Sequence, residues 1–129
     1  MSFHSGSAVW IDHNEARVFH VSEGAFDEAT LKAPRHHLHR HPKGGTAEHN
    51  HPDDLRHLFE EVAHALEGAE QILVVGPSTA KLQFLRFARE HAKAIESHIV
   101  GVETVDHPTD AQLVSHIKQY FHVTDRVRS

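Results

Sequence analysis

One stretch of this chain cannot fold by itself, and it limits what the rest must do. From Ala29 to Ala47 there is no acidic residue, while Lys32, Arg35, Arg40 and Lys43 are basic. His36, His37, His39 and His41 crowd the same stretch, and His49 and His51 follow. Such a segment buries too little apolar surface to offset the entropy of ordering it. A compact domain seldom carries a long loop of this kind without a use for it. Its chemistry suits a polyanion, a metal ion, or both.

The chain has 129 residues, enough for one domain with a hydrophobic core. No internal repeat or domain boundary is visible, so a single domain over residues 1–129 is expected, with a basic loop at about residues 34–51. No apolar run approaches the roughly 20 residues of a membrane span, so no membrane partner is expected. The N-terminus, Met1-Ser2-Phe3-His4-Ser5-Gly6, lacks the basic and apolar regions of a signal peptide, which makes the cytoplasm the expected location. The absence of cysteine excludes disulfides and thiolate metal sites. The formal charge of −5 counts sixteen histidines as neutral. With ordinary values near 6.5, about a quarter of them are protonated at pH 7, which brings the net charge close to zero. A localised basic segment on a near-neutral chain fits contact with nucleic acid.

Ser7 to Asp12 is a short apolar run ending in Asp12-His13-Asn14-Glu15. Ala16 to Val21 then alternates, with Arg17, Phe19 and Val21 on one face and Ala16, Val18 and His20 on the other. Two such runs predict a β-hairpin. Ser22 to Asp27 reads as a turn, and Glu28 to Ala33 as a third strand leading into the loop. Pro52 then opens a helix, with Asp53 and Asp54 favoured by the dipole in its first turn. Leu55, Leu58, Phe59, Val62, Ala63 and Leu66 fall on one helical face, and Gly68 is a natural stop. Gln71 to Val75 reads as a doubly buried central strand. A second helix runs from Ser78 or Thr79 to about His91, with Leu82, Leu85, Phe87 and Ala88 available for burial. Another strand lies within residues 95–105. Thr109 and Gln112 form a capping box that opens the last helix, whose apolar face carries Leu113, Val114, Ile117, Tyr120 and Phe121. This order predicts an α/β fold, a mixed sheet with helices packed against it.

The chemistry-bearing groups are these. His36, His37, His39 and His41 suit zinc or nickel. A structural site needs four fixed ligands with an orienting surround, so adventitious zinc or nickel is the expectation and no specific cofactor is assigned. His57 and His64 flank Glu60 and Glu61 and read as a solvated helix face with i,i+3 and i,i+4 pairs. Asp12 reads as a turn residue; as a magnesium ligand it would need further converging carboxylates. Gly76-Pro77-Ser78-Thr79 joins a strand to a helix without the glycines or lysine of a phosphate loop. Gly44-Gly45 gives the basic segment a backbone able to approach a partner closely. Arg40 and Lys43 there suit phosphates, and histidines suit bases or phosphate.

The opening A-V-W-I-D-H-N-E-A-R-V-F-H-V resembles the first hairpin of the middle domain of eukaryotic and archaeal-type peptide-chain release factors. Pelota-like rescue proteins share that domain, as do bacterial relatives described as translational-machinery or host-attachment proteins. The resemblance continues through Lys43-Gly44-Gly45, the amphipathic helix, I-L-V-V-G-P, L-Q-F-L-R-F-A-R-E-H, a strand and the last helix, covering roughly residues 7–121. It implies a ribonuclease H-like α/β fold and a ribosomal partner. Release factors carry Gly-Gly-Gln at the loop tip, where the glutamine positions water for peptidyl-tRNA hydrolysis. Gly44 and Gly45 match the glycines, but Thr46 stands where the glutamine would be. The resemblance therefore implies a non-hydrolytic factor, with flanking decoding and recruitment domains supplied by a partner protein if they are needed.

The expectation is a ribosome- or rRNA-binding factor of the stress, hibernation or rescue type. Its contact residues would be Lys32, Arg35, His36, His37, His39, Arg40, His41, Lys43, Gly44 and Gly45. Two readings from other classes stand beside it. One is a histidine-rich metal-binding protein using His36, His37, His39 and His41. The other is an enzyme: a peptidyl-tRNA hydrolase using Thr46, or a magnesium nuclease using Asp12.

Overall fold

The computed structural model describes residues 6–22, 25–32 and 52–128. The elements in chain order are β1 (Gly6–Ile11), β2 (Glu15–Ser22), β3 (Ala25–Lys32), α1 (Pro52–Ala65), β4 (Gln71–Gly76), α2 (Ala80–His91), α3 (Lys93–Glu96), β5 (Ile99–Thr104) and α4 (Asp110–Arg128). They form one five-stranded sheet in the order β3-β2-β1-β4-β5. β2 is antiparallel to both β1 and β3, whereas β4 is parallel to β1 and to β5. This is the mixed α/β sheet that the alternation of elements implies.

The central strands β1 and β4 are buried along their whole length. Helices cover both faces, so neither strand has a solvent side and neither can alternate. On one face α1 and α2 bury Leu58, Phe59, Val62, Leu66, Phe84 and Ala88 against Val9, Ile11, Val18, Ile72 and Val74. On the other, α4 lays Leu113, Ile117 and Phe121 over Ala8, Trp10, Phe19, Leu73 and Val75. Trp10, Phe19, Phe84 and Phe121 are almost wholly removed from water. Each such burial stabilises the fold by about 1.5–3 kcal/mol.

Local chemistry sets the joints. The Asp12 carboxylate accepts the backbone N–H groups of Asn14 (2.8 Å) and Glu15 (2.9 Å), which closes the β1–β2 turn. Gly68 has φ +86 and ends the turn after α1 in the left-handed region that favours glycine. The capping box at α4 is reciprocal: Gln112 N–H donates to the Thr109 hydroxyl at 3.1 Å, and Thr109 N–H to the Gln112 side chain at 3.0 Å.

Two expectations need correction, and one element was not foreseen. Ala25 to Asp27 is strand, not turn: Ala25 pairs with Ser22, Phe26 with Val21 and Asp27 with His20. The ladder runs to the last residue of β2, because pairing satisfies the backbone of both strands. Leu82 is 53% exposed rather than buried, since the core-facing line of α2 is Ala80, Phe84 and Ala88. The short helix α3, a single turn after Ala92, has no periodic apolar signal to announce it. No helix among the described residues is long and apolar enough to cross a membrane.

Candidate functional site

The basic segment is hung from one end of the sheet. β3 ends at Lys32, which pairs with Glu15 beside the β1–β2 turn, and the chain resumes at Pro52, the first residue of α1. The C-terminal ends of β1 and β4 lie at that same end, since Trp10 pairs with Val75. In open α/β sheets this is where ligands are usually received, outside the carboxyl ends of the strands. The segment from Arg35 to Thr46 lies outside the described residues, with its arginines, histidines, Lys43, Gly44, Gly45 and Thr46. Of the contact residues expected from the sequence, the structure places Lys32 alone.

A cluster braces this end. Trp10 donates its indole N–H to the Asp106 carbonyl at 2.9 Å, and the Arg17 guanidinium lies 4.5 Å from the centre of its ring. Arg17 also reaches the Asp110 carboxylate at the first turn of α4. Partial burial beside this cluster raises the Glu28 pKa, and the neighbouring Asp110 carboxylate, which is hydrogen-bonded to it, raises it further; Arg17 opposes both. The Nε of Arg17 is buried without a hydrogen-bond partner among the described residues. His107 stands edge-on to Trp10 at 5.3 Å and donates to Asp106 at 3.0 Å, with Asp12 3.9 Å from its other ring nitrogen. His13 donates to the Gln83 side chain at 3.0 Å, tying the β1–β2 turn to α2.

Asp12 is thus held as a turn residue. One of its oxygens already accepts two backbone N–H groups, and among the described residues no three His, Asp or Glu side chains form a metal-holding group. His57 and His64 sit on the exposed face of α1, each beside a glutamate: Glu61 at 3.2 Å and Glu67 at 3.6 Å. Lys81, on the first turn of α2, is 6% exposed; its stem is buried and its ammonium returns to the Ser78 carbonyl at 2.8 Å.

Sequence reasoning missed three pairings. Ser7 and His20 are hydrogen-bonded at 2.8 Å across the β1–β2 ladder. His116 on α4 donates to Glu103 on β5 at 2.6 Å. Arg17 and Asp110 meet from 93 residues apart. The hairpin register gives the first from sequence; the other two require the sheet order.

No protein-family model matches the sequence, and no curated relative matches it. Solved structures do share its fold. Pelota of Archaeoglobus fulgidus superposes with a TM-score of 0.65 at 19% identity, over 98% of this chain and 35% of that one. Pelota of Thermoplasma acidophilum gives 0.62 at 16% identity, over 90% and 32%. An archaeal translation termination factor, aRF1, gives 0.58 at 12% identity, over 95% and 42%. The chain therefore spans about a third of the Pelota chains and less than half of the termination factor. What is shared with these structures is the fold, and they are of the two kinds that the hairpin and element order resemble.

Proposed function

We propose that this chain is a translation-associated factor that binds the ribosome, with the basic segment from about Arg35 to His51 entering an rRNA-lined site. The observation that carries the reading is the fold, shared over nearly the whole chain with Pelota and with a translation termination factor. The segment supplies the chemistry: Arg35, Arg40 and Lys43 neutralise phosphates, the histidines add charge or stack on bases, and Gly44-Gly45 permits close approach. Peptide release is not part of the role. Thr46 is shorter than a glutamine and offers no amide to hold water for hydrolysis. Occupying a tRNA site without hydrolysis suits stress, hibernation or rescue.

Sedimentation of cell lysate on a gradient tests the reading. The chain should travel with ribosomal particles in growing or starved cells. If it stays at the top of the gradient in both, the proposal is wrong.

A further inference from the structure

We propose that the outward face of α2 is a second RNA-binding surface, docking the phosphate backbone of folded RNA through Arg86 and Arg89. The proposal rests on the ribosomal reading and adds a surface to it that the basic segment does not include.

Leu82, Arg86 and Arg89 stand at i, i+4 and i+7 and share one stripe of the helix. All three are exposed, Leu82 by 53%, while Ala80, Phe84 and Ala88 take the core side. Arg86 and Arg89 are about 4.5 Å apart along the axis. Lys93, also exposed, adds a cation just past the end of α2.

Residues 71–89 contain no acid and carry Lys81, Arg86 and Arg89. Glu90, the next carboxylate along, stands at i+4 from Arg86 but lies 3.9 Å from His91. Among the described residues neither guanidinium has a hydrogen-bond or ion-pair partner. The neighbouring α1 behaves differently: Arg56 pairs with Glu60, His57 with Glu61 and His64 with Glu67. The dipole at the C-terminal end of α2 favours a cation at Arg89, but Arg86 lies a turn earlier and gains little from it. Two guanidiniums that are unpaired among the described residues, beside an exposed leucine and with Glu90 the one acid of α2, complement a polyanion carrying bases. Guanidinium forks match phosphate oxygens two at a time, and the leucine covers a ribose or base face. α2 also descends from the end of the sheet where the basic segment is attached, so one RNA surface can meet both.

The test measures affinity of the full chain for purified ribosomes over a salt series. Arg86→Gln/Arg89→Gln should weaken binding and flatten the log-log salt slope by about 1.4–1.8, near 0.7–0.9 for each phosphate no longer neutralised. Thermal unfolding should change little, because neither side chain is paired among the described residues and only the dipole contact of Arg89 is lost. If the wild type binds and the double variant matches it in affinity and slope, the α2 proposal falls while the ribosomal reading stands. If Leu82→Ser weakens binding and the arginine variant does not, the face docks a ribosomal protein and the RNA assignment is overturned. If the wild type does not bind at all, both fall together.

Discussion

Arg17 lies over Trp10, its guanidinium carbon 4.5 Å from the ring centre, and from there reaches Asp110 at the head of α4. One side chain thus joins β1, β2 and the last helix. Its side chain is 13% exposed, while that of Asp110 is 58% exposed, so the ion pair alone contributes little. The stacking and the buried stem contribute more. Arg17→Ala should cost about 2 kcal/mol in urea unfolding. A change below about 0.5 kcal/mol, the level of an ordinary surface substitution, would show that the brace is incidental.

Glu28 gives stability a sign-defined pH dependence. Its folded pKa is raised above 4.5, by burial first, then by the Asp110 charge and the hydrogen bond to it. A carboxyl raised on folding stabilises the fold below its unfolded value, and that contribution disappears as pH rises through the folded value. From about pH 4.5 upward, wild-type stability should therefore lose this contribution. Glu28→Gln cannot titrate, so its unfolding curve should lack that fall. Denaturation midpoints across pH 4 to 7 decide it; parallel profiles for the two proteins would contradict the assignment.

Gly101 and Tyr120 are matched in shape. A Cβ at Gly101 would overlap the Tyr120 hydroxyl, whereas at Gly76 it would overlap the Ile11 backbone carbonyl. The first clash can be relieved by changing a side chain and the second cannot. Gly101→Ala should destabilise by about 1–3 kcal/mol, as overpacking does. A double-mutant cycle with Tyr120→Ala should recover part of that stability as a favourable coupling, because the two sites are in contact. Gly76→Ala should show no such coupling with Tyr120→Ala.

Much of the frame can be read from the chain before it folds. The run Gln71 to Val75, continuous and bounded by glycines, can hardly be anything but a central strand. The Thr109–Gln112 box marks the start of α4 by chemistry local to four residues. Leu82 misleads because it is apolar yet stands opposite the core-facing line of Ala80, Phe84 and Ala88, which Leu85 and Phe87 flank in partial burial. Arg17, Asp110 and Glu28 come from three elements, and nothing near any one of them in sequence points to the others. The candidate site divides the same way. The basic segment declares its chemistry by composition, whereas Arg86 and Arg89 resemble ordinary helix surface until their lack of partners among the described residues is seen.

Salt and acid should act on RNA binding in a defined direction. Lys32, Arg35, Arg40 and Lys43 keep their charge at pH 8. Neutralising all four should flatten the log-log salt slope there by about 3. At pH 6 the histidines gain charge, so wild-type affinity should rise and the slope should steepen. Zinc uptake by the same histidines should move the other way, since protons compete for imidazole. RNA affinity unchanged by both salt and pH would refute the electrostatic role of the segment.

Pelleting of purified ribosomes through a sucrose cushion is the most direct test of the central claim. Wild-type chain and a variant with Arg35, Arg40 and Lys43 changed to glutamine are compared at low and high salt. The account predicts that the wild type pellets with ribosomes at low salt, is released at high salt, and that the variant stays in the supernatant. Wild-type chain left in the supernatant at low salt, or a variant that pellets as well as the wild type, would contradict it.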